Sequence, residues 1–528
     1  MKIETLNKST IYKTLYQRFN GEFLTLKDLP HPDSFKDMKR AVKRVANAII
    51  NRQKIALIGD YDVDGVAATT IIRELFSTIG YPLEWIIPNR FIDGYGISKS
   101  VIDRVDANLI ITVDNGIAAI EAAKICKERD IELIITDHHS VGDILPEAYA
   151  IVNQKQADCN FKYKEICGAQ IAWYFASALA KELNIKIDQK SMLSICALAI
   201  VADIMPLNGI NRSMLIAGLQ QLQRGGYAFV EALQNRGFLK SFSSEAIAYY
   251  VAPLLNSAGR LKDASLACEF LYTKDILKAN EILDELISLN NERKTIERSI
   301  TKEALKQVKS SDNIAIVWGS RWNEGVVGIV AARVAEHFKK PAIALSCKDG
   351  ICKGSGRSYG DCDLYSLVAS AKEHYNKFGG HKMALGVSFD KDKLPLIKSL
   401  LNIKASEFCS NDSYIDNSIL GILPFSEIDF ELLDILEKFE PYGEANPKPK
   451  FISKELKILE IRELGEGKEH KRYRLQDRSG KILSAIEFRS KSDILEGEII
   501  DITYTLSKNE FNGSIYINLF IENINLTS

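Results

Sequence analysis

Four acidic segments hold most of the chemistry this sequence can do. GDYDVDG sets Asp60, Asp62 and Asp64 at alternate positions, TVDNG supplies Asp114, TDHHS supplies Asp137, His138 and His139, and AIVADIMPL places Asp203 in an apolar run. In an extended or tightly turning segment alternate side chains face one way, and three carboxylates on one side repel unless a cation neutralises them. A hard divalent ion takes such an oxygen shell, and imidazole among carboxylates suits Mn2+ better than Mg2+ or Ca2+ alone. The Asp-x-Asp-x-Asp-Gly pattern also opens a calcium loop, but an EF-hand needs Glu at loop position 12, where this chain has Ile71. A solvated acidic turn or a helix cap would account for any one of these segments. It does not account for all of them together, and an unpaired Asp203 in apolar surroundings would cost several kcal/mol. Five to seven ligands are too many for one ion. They fit two ions about 3.5–4 Å apart, which polarise a phosphoryl group and draw hydroxide from water. The sequence has no Ser-His-Asp or Cys-His nucleophile pattern and no GxxxxGK[ST] phosphate loop.

Bringing distant acidic segments together requires a scaffold with a common edge. Short apolar runs, IALIG (55–59), LIITV (109–113), LIIT (133–136) and YAIV (149–152), alternate with helical periodicity in VAATTIIRELFSTIG and AAIEAAKICKERD. That is the pattern of βαβ units in a parallel sheet. Functional groups gather beyond the carboxyl ends of such strands, and Asp60, Asp114 and Asp137 each follow a run directly.

The predicted organisation is a helical lead-in (1–50), an α/β catalytic domain (51–270) and a connecting helix (271–310), followed by a second, smaller α/β domain (311–405), a helical linker (406–450) and a closed β-barrel of short strands (451–528). The connector carries an apolar stripe of Ile282, Leu286, Leu289, Ile296 and Ile300, interrupted by Arg293. It reads as one helix, or as two broken near Asn290–Asn291.

The chain has 528 residues, which at roughly 150 per domain suggests three or four domains. Its 68 Lys+Arg against 69 Asp+Glu leave a net charge of −1. That excludes a polycationic tail but not a local basic groove. A hydrophobic content of 46 % excludes intrinsic disorder. Nine scattered cysteines without Cys-x-x-Cys spacing predict reduced thiols in a cytoplasmic protein. The N-terminus shows no apolar signal region, and no apolar run approaches the ~18 residues of a membrane span.

In order, GDYDVDG, TVDNG, TDHHS and AIVADIMPL resemble the four motifs of the DHH phosphoesterase superfamily. Around them LPEAYAIVNQKQADCNFKYKEICGA, LNSAGRLKDASLA, GVVGIVAARVAE, GSGRS, FGGHKMALG and PYGEANPKPKF resemble the RecJ family of single-strand-specific exonucleases, from about residue 50 to the C-terminus. The resemblance implies a DHH catalytic domain, a DHH-associated DNA-binding domain and an OB-like barrel. It implies a 5′→3′ exonuclease of DNA repair and recombination, acting on single-stranded DNA with two Mn2+ or Mg2+ ions.

By that resemblance Asp60, Asp62, Asp114, His138 and Asp203 bind the metal pair, with Asp114 bridging. His139 lies beside the scissile phosphate, and Asp64 positions the loop. Arg90 and Tyr95, in PNRFIDGYG, hold the 5′ end. Read without the family, they would be an exposed arginine and a core tyrosine. Ser355 and Arg357 of GSGRS, and Gly379, Gly380 and His381 of FGGHKMALG, touch the DNA backbone, while Asn256 and Arg260 support the cleft. The resemblance further implies a cytoplasmic monomer, not membrane-bound, with single-strand-binding protein and a RecQ-type helicase as partners. A relative acting on short oligoribonucleotides or cyclic dinucleotides shares the metal motifs and GGH but lacks the barrel and the PYGEANPKPKF junction. A non-catalytic replication scaffold on the same fold would have lost ligands that are all present here.

Three positions depart from the family pattern: Ile58 where some relatives carry His, Asn323 in place of His after Trp322, and Ala445 in place of a second Gly. In the barrel, His470, Lys471, Arg472, Tyr473 and Arg474 form a basic–aromatic cluster that would track a single strand or serve as a solvated strand face.

Overall fold

The computed structural model describes residues 4–526 apart from 21–22, 240, 410–415, 417, 466, 491 and 512–513. The first sheet contains β1 (Ile55–Ile58), β2 (Glu84–Ile86), β3 (Leu109–Val113), β4 (Glu132–Thr136) and β5 (Ala150–Val152). All pairings are parallel and the order is β2-β1-β3-β4-β5. The apolar runs are continuous because both faces are covered. Ile55, Leu57, Leu109, Ile111 and Ile134 feed one core, while Ala56, Ile58, Ile110, Leu133 and Ile135 feed the other. β2 was not expected. Its three residues are exposed or half-buried, so no apolar run marks them.

One unbroken helix, Ile276–Leu305, joins the two α/β units. Its 30 residues span roughly 45 Å. Arg293 interrupts the apolar stripe because it is a buried ion partner. Its guanidinium donates to Glu297 at 2.6 Å, and Glu297 also receives Arg333 from helix Val327–Phe338. The pairing compensates charges that would be costly to bury alone, and it pins the connector to the second domain.

That domain's sheet contains β6 (Ala315–Gly319), β7 (Ala342–Lys348), β8 (Ile351–Arg357), β9 (Lys377–His381) and β10 (Ala384–Asp390), in the order β6-β7-β8-β10-β9. β6 and β7 run parallel and the other pairs antiparallel.

The C-terminal strands are β11 (Ile419–Ile422), β12 (Lys450–Leu464), β13 (His470–Gln476), β14 (Ile482–Glu487), β15 (Ile499–Phe511) and β16 (Ser514–Leu526). β12-β13-β14-β16-β15 closes back onto β12 as a five-stranded barrel, with β11 beside β12. Closure leaves few edges unpaired. The first 50 residues divide between two cores. Leu6, Ile11, Leu15 and Phe19 join the barrel's core, whereas helix Met38–Ile50 packs on the first sheet.

The expectation of nine reduced thiols is corrected at four positions. Cys347 pairs with Cys352 and Cys362 with Cys409; the other five are free and buried. Register explains the first pair, since the β7–β8 hairpin sets 347 opposite 352. The second forms where the Asp363 N–H donates to the Phe408 carbonyl at 3.0 Å. Among the described residues, no helix is long and apolar enough to cross a membrane.

Candidate metal centre and nucleic-acid cleft

Because β1, β3 and β4 are neighbours, the residues that follow them share one sheet edge. Asp62 caps helix Val63–Ile79, its Oδ1 accepting from the N–H groups of Asp64 (2.9 Å) and Gly65 (3.1 Å). Asp114 turns the chain directly after β3 with φ of 61°, a left-handed conformation that aspartate tolerates better than most residues. Asp203 closes helix Gln189–Ala202. His138 Nε2 sits among three carboxylates, 3.2 Å from Asp114 Oδ1, 3.6 Å from Asp64 Oδ2 and 3.7 Å from Asp203 Oδ2.

The donor atoms form three overlapping groups: Asp60–Asp62–Asp114, Asp64–His138–Asp203 and Asp114–His138–His139. Asp114 and His138 each belong to two of them, and of the two only the Asp114 carboxylate offers a second oxygen. Asp64, read from the sequence as a loop-positioning residue, also stands among the candidate ligands.

Asp60 Oδ1, Asp114 Oδ1 and Asp203 Oδ2 are buried without a hydrogen-bond partner, a condition that costs about 1–3 kcal/mol each, more when charged. Burial, reinforced by neighbouring carboxylates, pushes Asp60, Asp114 and Asp203 well above the usual carboxylate range. Burial also depresses His138, favouring the neutral imidazole that ligates metals. Hard oxygens in excess, with one neutral imidazole, fit divalent cations of the Mn2+ or Mg2+ kind.

His139 lies beside this cluster in a different state. Burial works against its charge, but the hydrogen bond and charge of Asp137 hold it up to about 9. Asp137 Oδ1 lies 2.7 Å from His139 Nδ1 and accepts the His139 N–H at 3.0 Å; its Oδ2 accepts from Ile117 N–H at 2.8 Å. Asn153 donates to the His139 carbonyl at 3.0 Å. The Tyr95 hydroxyl is 3.3 Å from His139 Nε2 and within reach of the Asp114 carbonyl.

A cleft of about 1060 Å³ opens from this edge between the two α/β domains, lined among others by Tyr61, Arg90, Tyr95, His139, Ser355 and Gly380. The Arg90 guanidinium lies 4.1 Å over the Tyr61 ring, and Tyr61 meets Tyr95 edge to face. Tyr95 is 51 % exposed, so it is not a core residue. Gly379 also lines the cleft. Gly380 has φ of 143°, and a Cβ there would fall 2.4 Å from the Ala384 carbonyl oxygen, so only glycine fits.

Arg260 Nη1 donates to the Gly325 carbonyl at 3.0 Å, and burial brings its guanidinium down to about 10. Asn256 Oδ1 accepts from Val63 N–H at 3.2 Å, bracing the first acidic loop. Arg357 donates to the Gly356 carbonyl at 2.8 Å and lies beside Gly328 at the start of helix Val327–Phe338. His381 ends β9 on the exposed side.

Ile58 points into an apolar core, so a side chain there does not reach the acidic cluster. Asn323 Oδ1 accepts from Gly325 N–H at 2.7 Å, shaping the turn that Arg260 grips. Ala445 has φ of 58°, the conformation for which glycine is the natural occupant.

The barrel cluster is corrected at its aromatic member. Tyr473 is fully buried with its hydroxyl donating to Glu487 at 2.7 Å, because alternate residues of β13 point into the core. Arg472 and Arg474 remain outside with Arg462 and Glu460. Sequence reasoning missed Tyr61, Asn153 and the orienting role of Asp137. Only Asp137 carried a signal, as the first residue of the Asp-His-His run.

The parallel sheet with candidate metal ligands at adjacent strand ends, facing a smaller α/β domain across a cleft, defines a protein of the DHH phosphoesterase class. Family models agree: the DHH family N-terminal domain matches residues 54–200, the DHHA1 domain 311–407 and the RecJ OB domain 421–523. Within that class the chain belongs to the RecJ family. It is 32 % identical over 523 residues to the single-stranded-DNA-specific exonuclease RecJ of Escherichia coli (strain K12), covering 92 % of this chain and 90 % of that protein. It is 33 % identical over 507 residues to the protein of the same name from Bacillus subtilis (strain 168), covering 93 % of this chain and 64 % of the relative's length. The crystal structure of RecJ from Thermus thermophilus in complex with Mn2+ matches with a TM-score of 0.83 at 25 % identity, covering 99 % of this chain and 79 % of that one.

Proposed function

We propose that this chain is a metal-dependent exonuclease that hydrolyses single-stranded DNA from its 5′ end. The observation that carries the reading is the convergence of Asp60, Asp62, Asp64, Asp114, His138 and Asp203 on the edge of a cleft that also presents Arg90 and Tyr95. Asp60, Asp62 and Asp114 would hold one divalent cation, and His138 and Asp203, with Asp114 shared, the other. Bound Mn2+ or Mg2+ supplies Lewis acidity at the phosphoryl group and a water of lowered pKa.

The chain's own groups do the rest. His139, oriented by the Asp137 carboxylate on its Nδ1, presents its other ring nitrogen where negative charge grows on the phosphate. Arg90, held over the Tyr61 ring, forks onto a terminal phosphate. Tyr95 offers its face to the first base. Gly380 lets the strand's backbone approach β9, and Ser355 and Arg357 approach it from β8, beside His381.

The same reading covers DNA repair and recombination, a cytoplasmic monomer, and strands delivered by a RecQ-type helicase and single-strand-binding protein. The test is product analysis with 5′- and 3′-labelled single and double strands, in Mn2+ and in chelator. The expected result is a labelled mononucleotide released at once from the 5′-labelled single strand only, and none in chelator. Turnover in chelator, or a preference for a dinucleotide over a long strand, overturns the proposal.

A further inference from the structure

A turn outside the four acidic motifs runs directly beneath the acidic cluster. Cys167, Gly168 and Ala169, all buried, open helix Gly168–Glu182. The first N–H groups of a helix have no partner within it, and the helix carries positive partial charge there. Here Gly168 N–H donates to Asp64 Oδ2 at 2.6 Å and Ala169 N–H to Asp64 Oδ1 at 2.8 Å. Asp64 thus caps a helix more than 100 residues away in sequence, while its Oδ2 stays 3.6 Å from His138 Nε2.

The same turn passes under Asp114. A Cβ built on Gly168 would lie 2.6 Å from Asp114 Oδ1, 2.7 Å from its Cβ and 2.8 Å from its Cγ, closer than the 3.0 Å below which real Cβ contacts essentially never fall. Asp114 has little room to yield. Its N–H donates to the Thr136 carbonyl at 2.9 Å, and its backbone already sits at φ of 61°. Gly168 itself lies outside the left-handed region, so its backbone would accept alanine. Only the neighbouring carboxylate forbids it.

We infer that Gly168 is a positioning residue for the metal centre: its missing side chain lets the helix start close under both Asp64 and Asp114 and aim them at His138. This rests on the metal-dependent reading above. Metal ligands work only when held within about 0.5 Å of their geometry. A methyl group at 168 forces the helix start and the Asp114 carboxylate apart by a comparable distance, and loss of such outer support typically weakens metal binding 10–100-fold. An alanine at an ordinary helix start would instead stabilise the fold.

The experiment is Mn2+ titration by calorimetry, with electron paramagnetic resonance of the bound ion, on the full chain, on G168A and on G142A, whose added methyl meets only the Ile144 carbonyl oxygen at 3.9 Å. We expect G168A to keep the circular dichroism spectrum of the parent, to melt a few degrees lower in chelator because the added methyl overpacks a buried site, and to bind Mn2+ about 10–100-fold more weakly. Its Mn2+ spectrum should change, and added Mn2+ should restore kcat, while G142A matches the parent throughout. Parental Mn2+ affinity in G168A overturns the inference. Should G168A fail to fold, Ala169→Pro deletes the second N–H given to Asp64, within the helix's first turn, where proline is tolerated; parental Mn2+ affinity in that variant overturns the claim that this helix start aims Asp64. Failure of the unsubstituted protein to bind Mn2+ overturns the metal-dependent reading itself, a separate outcome.

Discussion

At the scale of single residues the acidic edge trades stability for ligation. Asp60, Asp114 and Asp203 are held above their unfolded values by burial and by neighbouring carboxylates, Asp62 and Asp64 among them. A carboxyl raised on folding contributes stability at low pH and loses it as pH climbs through the raised value. The metal-free protein should therefore weaken progressively as pH climbs above about 4, the ordinary carboxylate value, and Asp114→Asn should remove part of that loss. Thermal melts in chelator should place D114N at or above the parent at pH 7.5, with the gap shrinking at pH 5.5. With Mn2+ the order reverses, because a ligand at 100 times its Kd stabilises by about 2.7 kcal/mol and D114N forfeits most of it, together with nuclease activity. Across the cleft, Tyr95→Ala should raise KM for single strands by the worth of one stacked base, about 1–3 kcal/mol. Arg90→Ala should erase any preference for 5′-phosphate over 5′-hydroxyl ends; steady-state kinetics on paired substrates checks both. The candidate ligands were legible because carboxylates and imidazoles directly after apolar runs have few other reasons to be there. Tyr61 and Asn153 were not, because their roles depend on neighbours brought in by the fold: Arg90 above one and the His139 carbonyl beside the other.

At the scale of elements, legibility followed burial. β1, β3 and β4 are buried on both faces and read as apolar runs; β2, a three-residue edge strand, gave no such signal. The connecting helix was legible as a stripe, but the reason for Arg293 was not, since its partner's second ion pair comes from helix Val327–Phe338. Glu297→Ala would leave Arg293 buried and unpaired, and removal of one partner of a buried pair costs about 3–5 kcal/mol. A melting temperature several degrees lower, with Mn2+ affinity unchanged, is the expected result. The junction turn offers the opposite change. Ala445, exposed and at φ of 58°, carries left-handed strain of about 1–2 kcal/mol, while glycine adds roughly 0.5–1 kcal/mol of unfolded-state entropy. Ala445→Gly should come out slightly stabilising, by about 0.5 kcal/mol, measured as a rise in melting temperature.

At the scale of the molecule, the described residues form two cores about the first sheet, two about the second and one in the barrel, and the first segment seats on the last. Leu6 N–H donates to the Ile422 carbonyl at 2.7 Å, and Lys8 pairs with Asp429 and Glu431. No local pattern could announce this, because an amphipathic helix shows that it needs a partner and not which one. Deleting residues 1–20 should expose Phe439 and lower the barrel's melting transition while leaving Mn2+ binding intact, a contrast that calorimetric melting and titration resolve together.

The same seat sets an order in time. Lys8 and Asp429 are 421 residues apart, so at 5–20 residues per second the leading helix waits roughly 20–80 s on the ribosome for its partner. During that interval Ile11, Leu15 and Phe19 have nothing to cover them. A chain cut short before the barrel never acquires the cover, and it presents to chaperones and proteases a sticky leading end that the finished molecule hides.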